Sequence, residues 1–151
     1  PEDGTFAGLR FYEQDAQKLV QFALDNEIPN PQPAEKLHVT LLFSKAPVPD
    51  YEPWGLLKKG MFAMPLEARI FGEEDERALV IVLDSVDIVN RHNQLMKKHE
   101  EATYDHDEYI PHVTLSYDCG DFDPKTLDVS SIGMVTLVEE YGDDIDPDWS
   151  K

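Results

Sequence analysis

One tetrapeptide that combines an imidazole with a hydroxyl occurs twice in this sequence. The letters HVTL begin at His38, in KLHVTLLFS, and again at His112, in IPHVTLSYD. Both segments are apolar and rich in β-branched residues, which predicts two β-strands. Because side chains alternate along a strand, Thr40 shares a face with His38, and Thr114 shares a face with His112. An identical match in the same phase of two strands argues against coincidence.

The same alternation predicts which neighbours share these faces. In the first strand, Leu42 and Ser44 are expected on the histidine face, and Phe43 on the apolar reverse face. In the second strand, Ser116 is expected on the histidine face and Tyr117 on the reverse face.

Two imidazoles and two hydroxyls that face each other fit the chemistry of a phosphodiester. An imidazole pKa near 6.5 allows one neutral ring to take a proton while a protonated ring gives one. Hydroxyl groups donate hydrogen bonds to the non-bridging phosphate oxygens. No metal is required. We therefore expect His38, Thr40, His112 and Thr114 to be catalytic, although the sequence does not tell which histidine is the base and which the acid.

The composition limits the class of protein. A chain of 151 residues that is 41% hydrophobic predicts a single domain, residues 1–151, with two lobes of about 1–60 and 61–151. The net charge of −18 argues against polymeric nucleic acid and anionic membranes as partners, but it permits a small anionic ligand in a local pocket. Cys119 is a single cysteine, no long apolar run occurs, and the opening PEDGTFAG is not expected to be a signal sequence. We expect a cytoplasmic monomer.

The predicted elements repeat as strand, helix and strand, with a histidine motif on each closing strand. A shift of 74 positions, 112 − 38, superimposes the two halves as patterns. Two such lobes about a pseudo-two-fold axis would bring the histidine faces together across a cleft. The predicted elements are strands at 4–12, 36–45, 64–71, 78–83, the second histidine segment and 131–141, helices at 13–26 and 85–103, and a proline-rich loop at 46–60.

Two details of the helices are also predicted. Asp15 is the candidate N-cap of the first helix. The second helix carries on one side Val86, Val89, Asn93, Met96 and Lys97.

The paired motifs resemble the two-histidine phosphoesterase superfamily, which is defined by two His-x-Thr/Ser motifs on a bilobal fold. The opening EDGTFAGLRF, the IPNP turn before KLHVTLLFS and the chain length also resemble the anti-CBASS enzyme family of tailed phages. The resemblance implies an α+β fold with two pseudo-symmetric strand-helix-strand lobes, whose antiparallel sheets flank a central cleft.

The resemblance also implies an activity. The family hydrolyses cyclic di- and trinucleotide immune signals of bacteria, such as cGAMP, without a metal or other cofactor, and it leaves linear products with a 3′-phosphate. A phage-encoded member would act in the host cytoplasm and block CBASS signalling. His38 and Thr40 match the family's first motif, and His112 and Thr114 match the second. The implied chemistry is attack of a ribose 2′-hydroxyl on the adjacent 3′–5′ linkage, giving a 2′,3′-cyclic phosphate that water opens.

Substrate-binding residues are predicted from their chemistry and position. Aromatic rings stack on bases, and the candidates are Tyr12 at the end of the first strand, Trp149 in the acidic tail and then Trp54 in the proline-rich loop. Glu140, or Glu139, is expected to accept a hydrogen bond from a base. The candidates for offsetting phosphate charge are Arg10 and Lys36.

Three alternatives remain open at this point. His92, His99 and the ligand-rich segment around His106 could form a metal site, although solvated surface is the preferred interpretation of all three histidines. The chain could be a related phosphoesterase acting on 2′–5′ oligoadenylates or 2′,3′-cyclic phosphate ends. It could also bind cyclic nucleotides as a sponge without cleaving them.

Overall fold

The computed structural model describes residues 4–73, 76–104 and 108–145, in which six β-strands and two α-helices form. Strand β3 begins inside the segment that was predicted as a loop, so the proline-rich crossing is shorter than expected. Neither α-helix in this part of the chain is long and apolar enough to cross a membrane. The elements are β1 (Gly4–Phe11), α1 (Glu13–Asp25), β2 (His38–Ser44), β3 (Gly55–Phe71), β4 (Ala78–Asp84), α2 (Val86–Lys98), β5 (His112–Ser116) and β6 (Val135–Ile145).

The strands close into one antiparallel barrel in the order β1-β2-β5-β4-β3-β6. Three strands form each half, β6-β1-β2 and β3-β4-β5, and the halves join at β2–β5 and at β3–β6. Strands β2 and β5 meet where Val39 lies opposite Val113. These two valines are equivalent residues of the two HVTL copies, so the approximate two-fold axis runs through their contact. The predicted lobe boundary near residue 60 falls within β3 and stays a prediction.

Each histidine strand contains a β-bulge directly after its threonine. In the pairing of β2 with β1 the extra residue is Leu41, and in the pairing of β5 with β4 it is Leu115. A bulge places two residues of one strand opposite one residue of its partner and so shifts the alternation of faces. The duplication therefore includes an irregularity of the backbone as well as four letters of sequence.

The bulges overturn the faces predicted beyond the threonines. Leu42, Ser44 and Ser116 are fully buried at 0% exposure, and they do not share the open face of the histidines. Phe43 and Tyr117 lie on that face instead, and each of them lines a pocket beside a histidine motif. The prediction was wrong because strict alternation does not allow for an extra residue.

Helix α1 begins without the predicted side-chain cap. Tyr12 occupies the N-cap position, and Asp15 lies inside the first turn. The carboxylate of Asp15 accepts a hydrogen bond from the backbone N–H of Thr136 at 2.8 Å, which ties α1 to the start of β6. The Asp15 N-cap prediction is therefore wrong, and this side chain joins two elements instead of ending one.

Helix α2 is capped by Ser85, whose hydroxyl accepts a hydrogen bond from the backbone N–H of Ile88 at 3.2 Å. Its buried side differs from the side that apolar periodicity picked out, since Val86 is 71% exposed. Burial of an arginine and a histidine explains the difference, because neither counts as apolar in a periodicity analysis. The buried residues of α2 are Ile88, Arg91, His92 and Leu95.

Arg91 and Glu140 form an ion pair in the protein interior. The guanidinium donates from Nε at 2.7 Å and from Nη2 at 2.8 Å to the two carboxylate oxygens, and Glu140 is 1% exposed. The Tyr51 hydroxyl and the Trp54 backbone N–H donate to the same carboxylate at 2.9 and 3.2 Å. This cluster fixes β6, α2 and the loop before β3 to one another.

We predict that Glu140→Gln lowers the free energy of unfolding by about 3–5 kcal/mol, because it leaves the Arg91 cation buried without its counter-charge. The neighbouring Glu139 provides a matched control, since its carboxylate pairs with Arg10 at 3.0 Å on the surface. Glu139→Gln is expected to cost about 0–1 kcal/mol. Urea unfolding of both variants measures the difference, and equal losses would contradict the interior ion pair.

Candidate active site

The register of the two central strands brings the four predicted catalytic side chains together. From the pair Val39–Val113, one step along each antiparallel strand sets His38 opposite Thr114 and Thr40 opposite His112. The valines are buried at 0% exposure, so the histidines and threonines lie on the other, open face. Directly opposed Cβ atoms lie about 5 Å apart and diagonal ones about 7–8 Å apart, so the two imidazoles can contact one phosphate between them. The catalytic roles of these residues stay a prediction.

Both imidazoles are held by the same backbone device. Nδ1 of His38 lies 3.0 Å from the carbonyl oxygen of Lys36, and Nδ1 of His112 lies 2.8 Å from that of Ile110. A carbonyl only accepts, so Nδ1 carries the hydrogen in each ring. The lone pair of the neutral imidazole is therefore on Nε2, which is the atom left for proton transfer.

An aromatic edge also contacts each histidine. Phe6 meets His38 with ring centroids 5.7 Å apart and planes at 76°, and Phe71 meets His112 at 4.9 Å and 73°. Ring contacts of this kind restrict the rotation of the imidazole about its side chain. Neither phenylalanine was predicted from the sequence.

The first pocket, which we call the aromatic pocket, has a volume of about 730 Å³ and contains His112 together with Thr40. Its volume falls in the range of small-molecule sites. Phe43, turned outward by its bulge, forms part of the wall. The described residues that line it are Thr40, Phe43, Ile70, Phe71, Gly72, Tyr104, Glu108, Tyr109, Ile110 and His112.

The second pocket, which we call the charged pocket, has a volume of about 870 Å³ and contains His38. Tyr117 lines it, and its hydroxyl is hydrogen-bonded to the side chain of Thr114. Burial raises the pKa of Tyr117, so this hydroxyl stays protonated at neutral pH. The described residues that line the pocket are Arg10, Gln32, Glu35, Lys36, Leu37, His38, Glu76, Ala78, Tyr117 and Tyr141.

Each pocket is lined by residues that follow or belong to both HVTL motifs. Each pocket combines the histidine of one motif with the aromatic residue that follows the threonine of the other, so His112 lies with Phe43 and His38 with Tyr117. These aromatics stand five positions after their own histidines, in HVTLLF and HVTLSY. The sequence could have predicted these two wall residues, because both copies of the repeat have an aromatic residue at the second position after HVTL.

Arg10 is fixed beside His38. It lies opposite His38 in the pairing of β1 with β2, and its guanidinium carbon is 3.7 Å from the centre of the Tyr141 ring. Glu139 accepts a hydrogen bond from its Nη1 at 3.0 Å. Gly8, on the same side of β1, provides the room for this arrangement, since a Cβ there would lie 2.9 Å from both Phe6 and Tyr141.

The other residues predicted to bind substrate do not form one cluster among the described residues. Tyr12 is 45% exposed and lies between the end of β1 and the start of α1, at the N-cap position of that helix. Trp54 is 53% exposed and stacks on Arg91, with the guanidinium carbon 3.6 Å from the ring centre. Glu140 is in the interior ion pair, and its oxygens are occupied by protein donors. Glu140 therefore stabilises the interior, and its contact with a base stays a prediction. Trp149 lies outside the described residues.

The expectation that the non-motif histidines are solvated is wrong for two of them. His92 is 5% exposed and His99 is 4% exposed. Nδ1 of His92 donates to the carbonyl oxygen of Leu41 at 2.6 Å. His106 lies outside the described residues, and within residues 4–73, 76–104 and 108–145 no group of three metal-ligating side chains converges.

Comparison with solved structures defines the class of fold. E. coli LigT complexed with ATP aligns with a TM-score of 0.57 over 93% of this chain and 86% of that chain, at 16% sequence identity. Identity at this level identifies the fold alone. The predicted α+β, two-histidine phosphoesterase-like fold is thereby confirmed.

The sequence comparisons identify the family. The profile of the family described as Anti-CBASS protein Acb1 matches residues 3–151, and the chain belongs to that family. The protein of Acinetobacter phage Ac42 with that name is 32% identical over 148 residues, which cover 98% of this chain and 95% of that protein. The one of Enterobacteria phage T4 is 32% identical over 149 residues, covering 97% and 91%. The family resemblance seen in the sequence is confirmed.

The burial of His92 generates a prediction about acid stability. Burial lowers the pKa of His92 below its ordinary 6.5, so the unfolded chain binds this proton at a higher pH than the folded chain does. Stability contributed by the neutral ring is present above pH 6.5 and is lost as the pH falls below it, by at most about 1.4 kcal/mol per pH unit. His92→Asn removes the titration. We expect urea unfolding between pH 7.5 and 5 to weaken wild type more steeply than the variant, and parallel slopes would contradict this account.

Proposed function

We propose that this protein is a phosphodiesterase that hydrolyses 3′–5′ linkages of cyclic di- and trinucleotide immune messengers to linear 3′-phosphate products, thereby blocking CBASS signalling. The observation that carries the proposal is the crosswise convergence of His38, Thr40, His112 and Thr114 on one open face. Membership of the anti-CBASS family supports the biological role. The LigT-like fold supports the reaction class only as an analogy.

The proposed reaction has two steps. Nε2 of one histidine takes the proton of a ribose 2′-hydroxyl, whose oxygen attacks the adjacent phosphorus, and Nε2–H of the other protonates the departing 5′-oxygen. The 2′,3′-cyclic phosphate is then opened by water, with the histidines in exchanged roles, and the 2′-oxygen leaves with a proton. The hydroxyls of Thr40 and Thr114 donate to the non-bridging oxygens in both steps. No metal or cofactor takes part.

The pockets on either side of the histidines support a substrate with a nucleoside on each side of the scissile phosphate. Aromatic walls suit the stacking of bases, which is worth about 1–3 kcal/mol per base. In the charged pocket, Arg10 and Lys36 are the cations that could contact a phosphate, and Glu35 and Glu76 line the same pocket. Tyr12 and Trp149 remain proposed stacking residues.

Replacing either motif histidine by alanine is expected to lower kcat for a cyclic dinucleotide about 10²–10⁴-fold, because each variant lacks one proton-transfer group. His99→Gln provides the control, since His99 is buried against Tyr51 with ring centroids 6.3 Å apart, away from both pockets. Quenched-flow assays and thermal melts measure turnover and folding. Near-wild-type turnover by His38→Ala or His112→Ala would refute the role assigned to that residue.

A 2′-deoxy cyclic dinucleotide is expected to bind but resist cleavage, because it lacks the attacking hydroxyl. The assay is run with the ribose and deoxy ligands in EDTA, with chromatography of products and calorimetry of binding. Rapid cleavage of the deoxy ligand would replace the proposed step by direct attack of water. Binding of the ribose ligand without cleavage would favour a sponge, and cleavage confined to 2′–5′ oligoadenylates would favour the related phosphoesterase activity.

A further inference from the structure

Two aromatic side chains outside the motifs hold the backbone at the first bulge. The hydroxyl of Tyr109 donates to the carbonyl oxygen of Thr40 at 2.6 Å, and Nδ1 of His92 donates to the carbonyl oxygen of Leu41 at 2.6 Å. The two rings stack on each other with centroids 3.8 Å apart and planes at 6°. Two consecutive carbonyls of β2 are therefore bonded by two rings that support one another.

We propose that the Tyr109–His92 stack is a positioning device that sets the direction of Thr40 and Phe43 for catalysis. This inference rests on the proposed function, and it assigns to two residues outside the motifs a role in the same site. Their donor atoms bond to the backbone of the motif and not to the reacting atoms, so we class them as positioning residues, and Tyr109→Phe keeps the ring with which Tyr109 also lines the aromatic pocket.

The short pairing between β2 and β5 explains why side chains are needed to hold the backbone after Thr40. Among the described residues, strands β2 and β5 are paired at Val39 and Val113 alone. The next carbonyls of β2 belong to Thr40 and to the bulge residue Leu41, and a side chain donates to each of them. Because these carbonyls orient the peptides that follow Thr40, their bonds control where the Thr40 hydroxyl and the Phe43 ring point.

The bulge of the second motif is bonded by a backbone donor, whereas the bulge of the first is bonded by side chains that mutation can change. The carbonyl oxygen of Leu115, the equivalent bulge residue, accepts the backbone N–H of Gln32 at 2.7 Å. A backbone donor cannot be removed by changing a side chain, whereas both donors in the first motif can be.

Burial keeps the two side chains of the stack in the protonation states that these bonds need. It raises the pKa of Tyr109 and lowers that of His92, so the hydroxyl stays protonated and the imidazole stays neutral.

The primary test is Tyr109→Phe, which keeps the ring and removes the donor. We expect kcat for a cyclic dinucleotide to fall about 10–100-fold with KM changed less than about twofold, because small misplacements of a catalytic group cost rates of that size. Tyr51→Phe is the matched control, since it removes another half-buried hydroxyl, one bonded to Glu140 at 2.9 Å. The control should lose stability but not kcat. Equal kcat values for the two variants would overturn the proposal.

A double-mutant cycle separates positioning from general stability. If Tyr109 acts through the Thr40 hydroxyl, Tyr109→Phe should cost little further activity in a Thr40→Ala background. The same fold-loss in both backgrounds would overturn the proposal.

Two variants at His92 test the other donor. His92→Asn keeps an amide donor near the Nδ1 position and should retain more activity than His92→Phe, which keeps only the ring.

A readout without turnover distinguishes failure of this inference from failure of the proposed function. In methyl-labelled protein, Tyr109→Phe should shift the Thr40 methyl resonance more than that of Thr114. If wild type cleaves no cyclic oligonucleotide, the proposed function fails while this measurement still decides the positioning role. Unchanged Thr40 and Thr114 resonances would then overturn the positioning role as well.

Discussion

The contact on which the site depends is the antiparallel pairing of Val39 with Val113. Two equivalent residues face each other there, so the internal duplication is joined at its own axis of symmetry. From this one pair, the antiparallel direction places each histidine opposite the threonine of the other copy. A parallel pairing would have put histidine beside histidine and threonine beside threonine. The crossed arrangement instead surrounds a single point with alternating imidazoles and hydroxyls, which suits the in-line transfer at phosphorus that we propose.

Sequence reasoning succeeded where local pattern determines the structure. The HVTL repeat predicted both strands and the shared face of each histidine and threonine, and the family resemblance supplied the fold class. It failed one residue further on, because HVTLLF is read as continuous alternation unless an extra residue is known to be present. The bulges at Leu41 and Leu115 depend on pairing with β1 and β4, which local alternation does not show. Phe43 and Tyr117 were therefore assigned to the wrong face.

The interior polar residues show a second limit of the sequence. Arg91 and His92 are buried in α2 only because Glu140 and the carbonyl of Leu41 accept their hydrogen bonds. Those partners lie about 50 positions away, and helical periodicity carries no information on them. The burial of Glu140 is missed for the same reason, since a carboxylate at the end of a strand is expected to be solvated until its arginine partner is found. Long-range polar pairing, more than apolar burial, accounts for what the sequence did not reveal.

The charge of the chain and the chemistry of its pockets must be reconciled, because a net charge of −18 repels the anionic substrate that we propose. At physiological ionic strength, such repulsion between exposed charges is screened over about 8 Å, so groups inside the pocket dominate at contact. Arg10 lies there beside His38, immobilised by Glu139 and by the face of Tyr141. A guanidinium that is already ordered loses less entropy when it binds a phosphate. The opposite pocket has aromatic walls around His112. The duplication thus kept the histidines and threonines equivalent while the pockets around them became unequal, so the proposed substrate would meet different surroundings on its two sides.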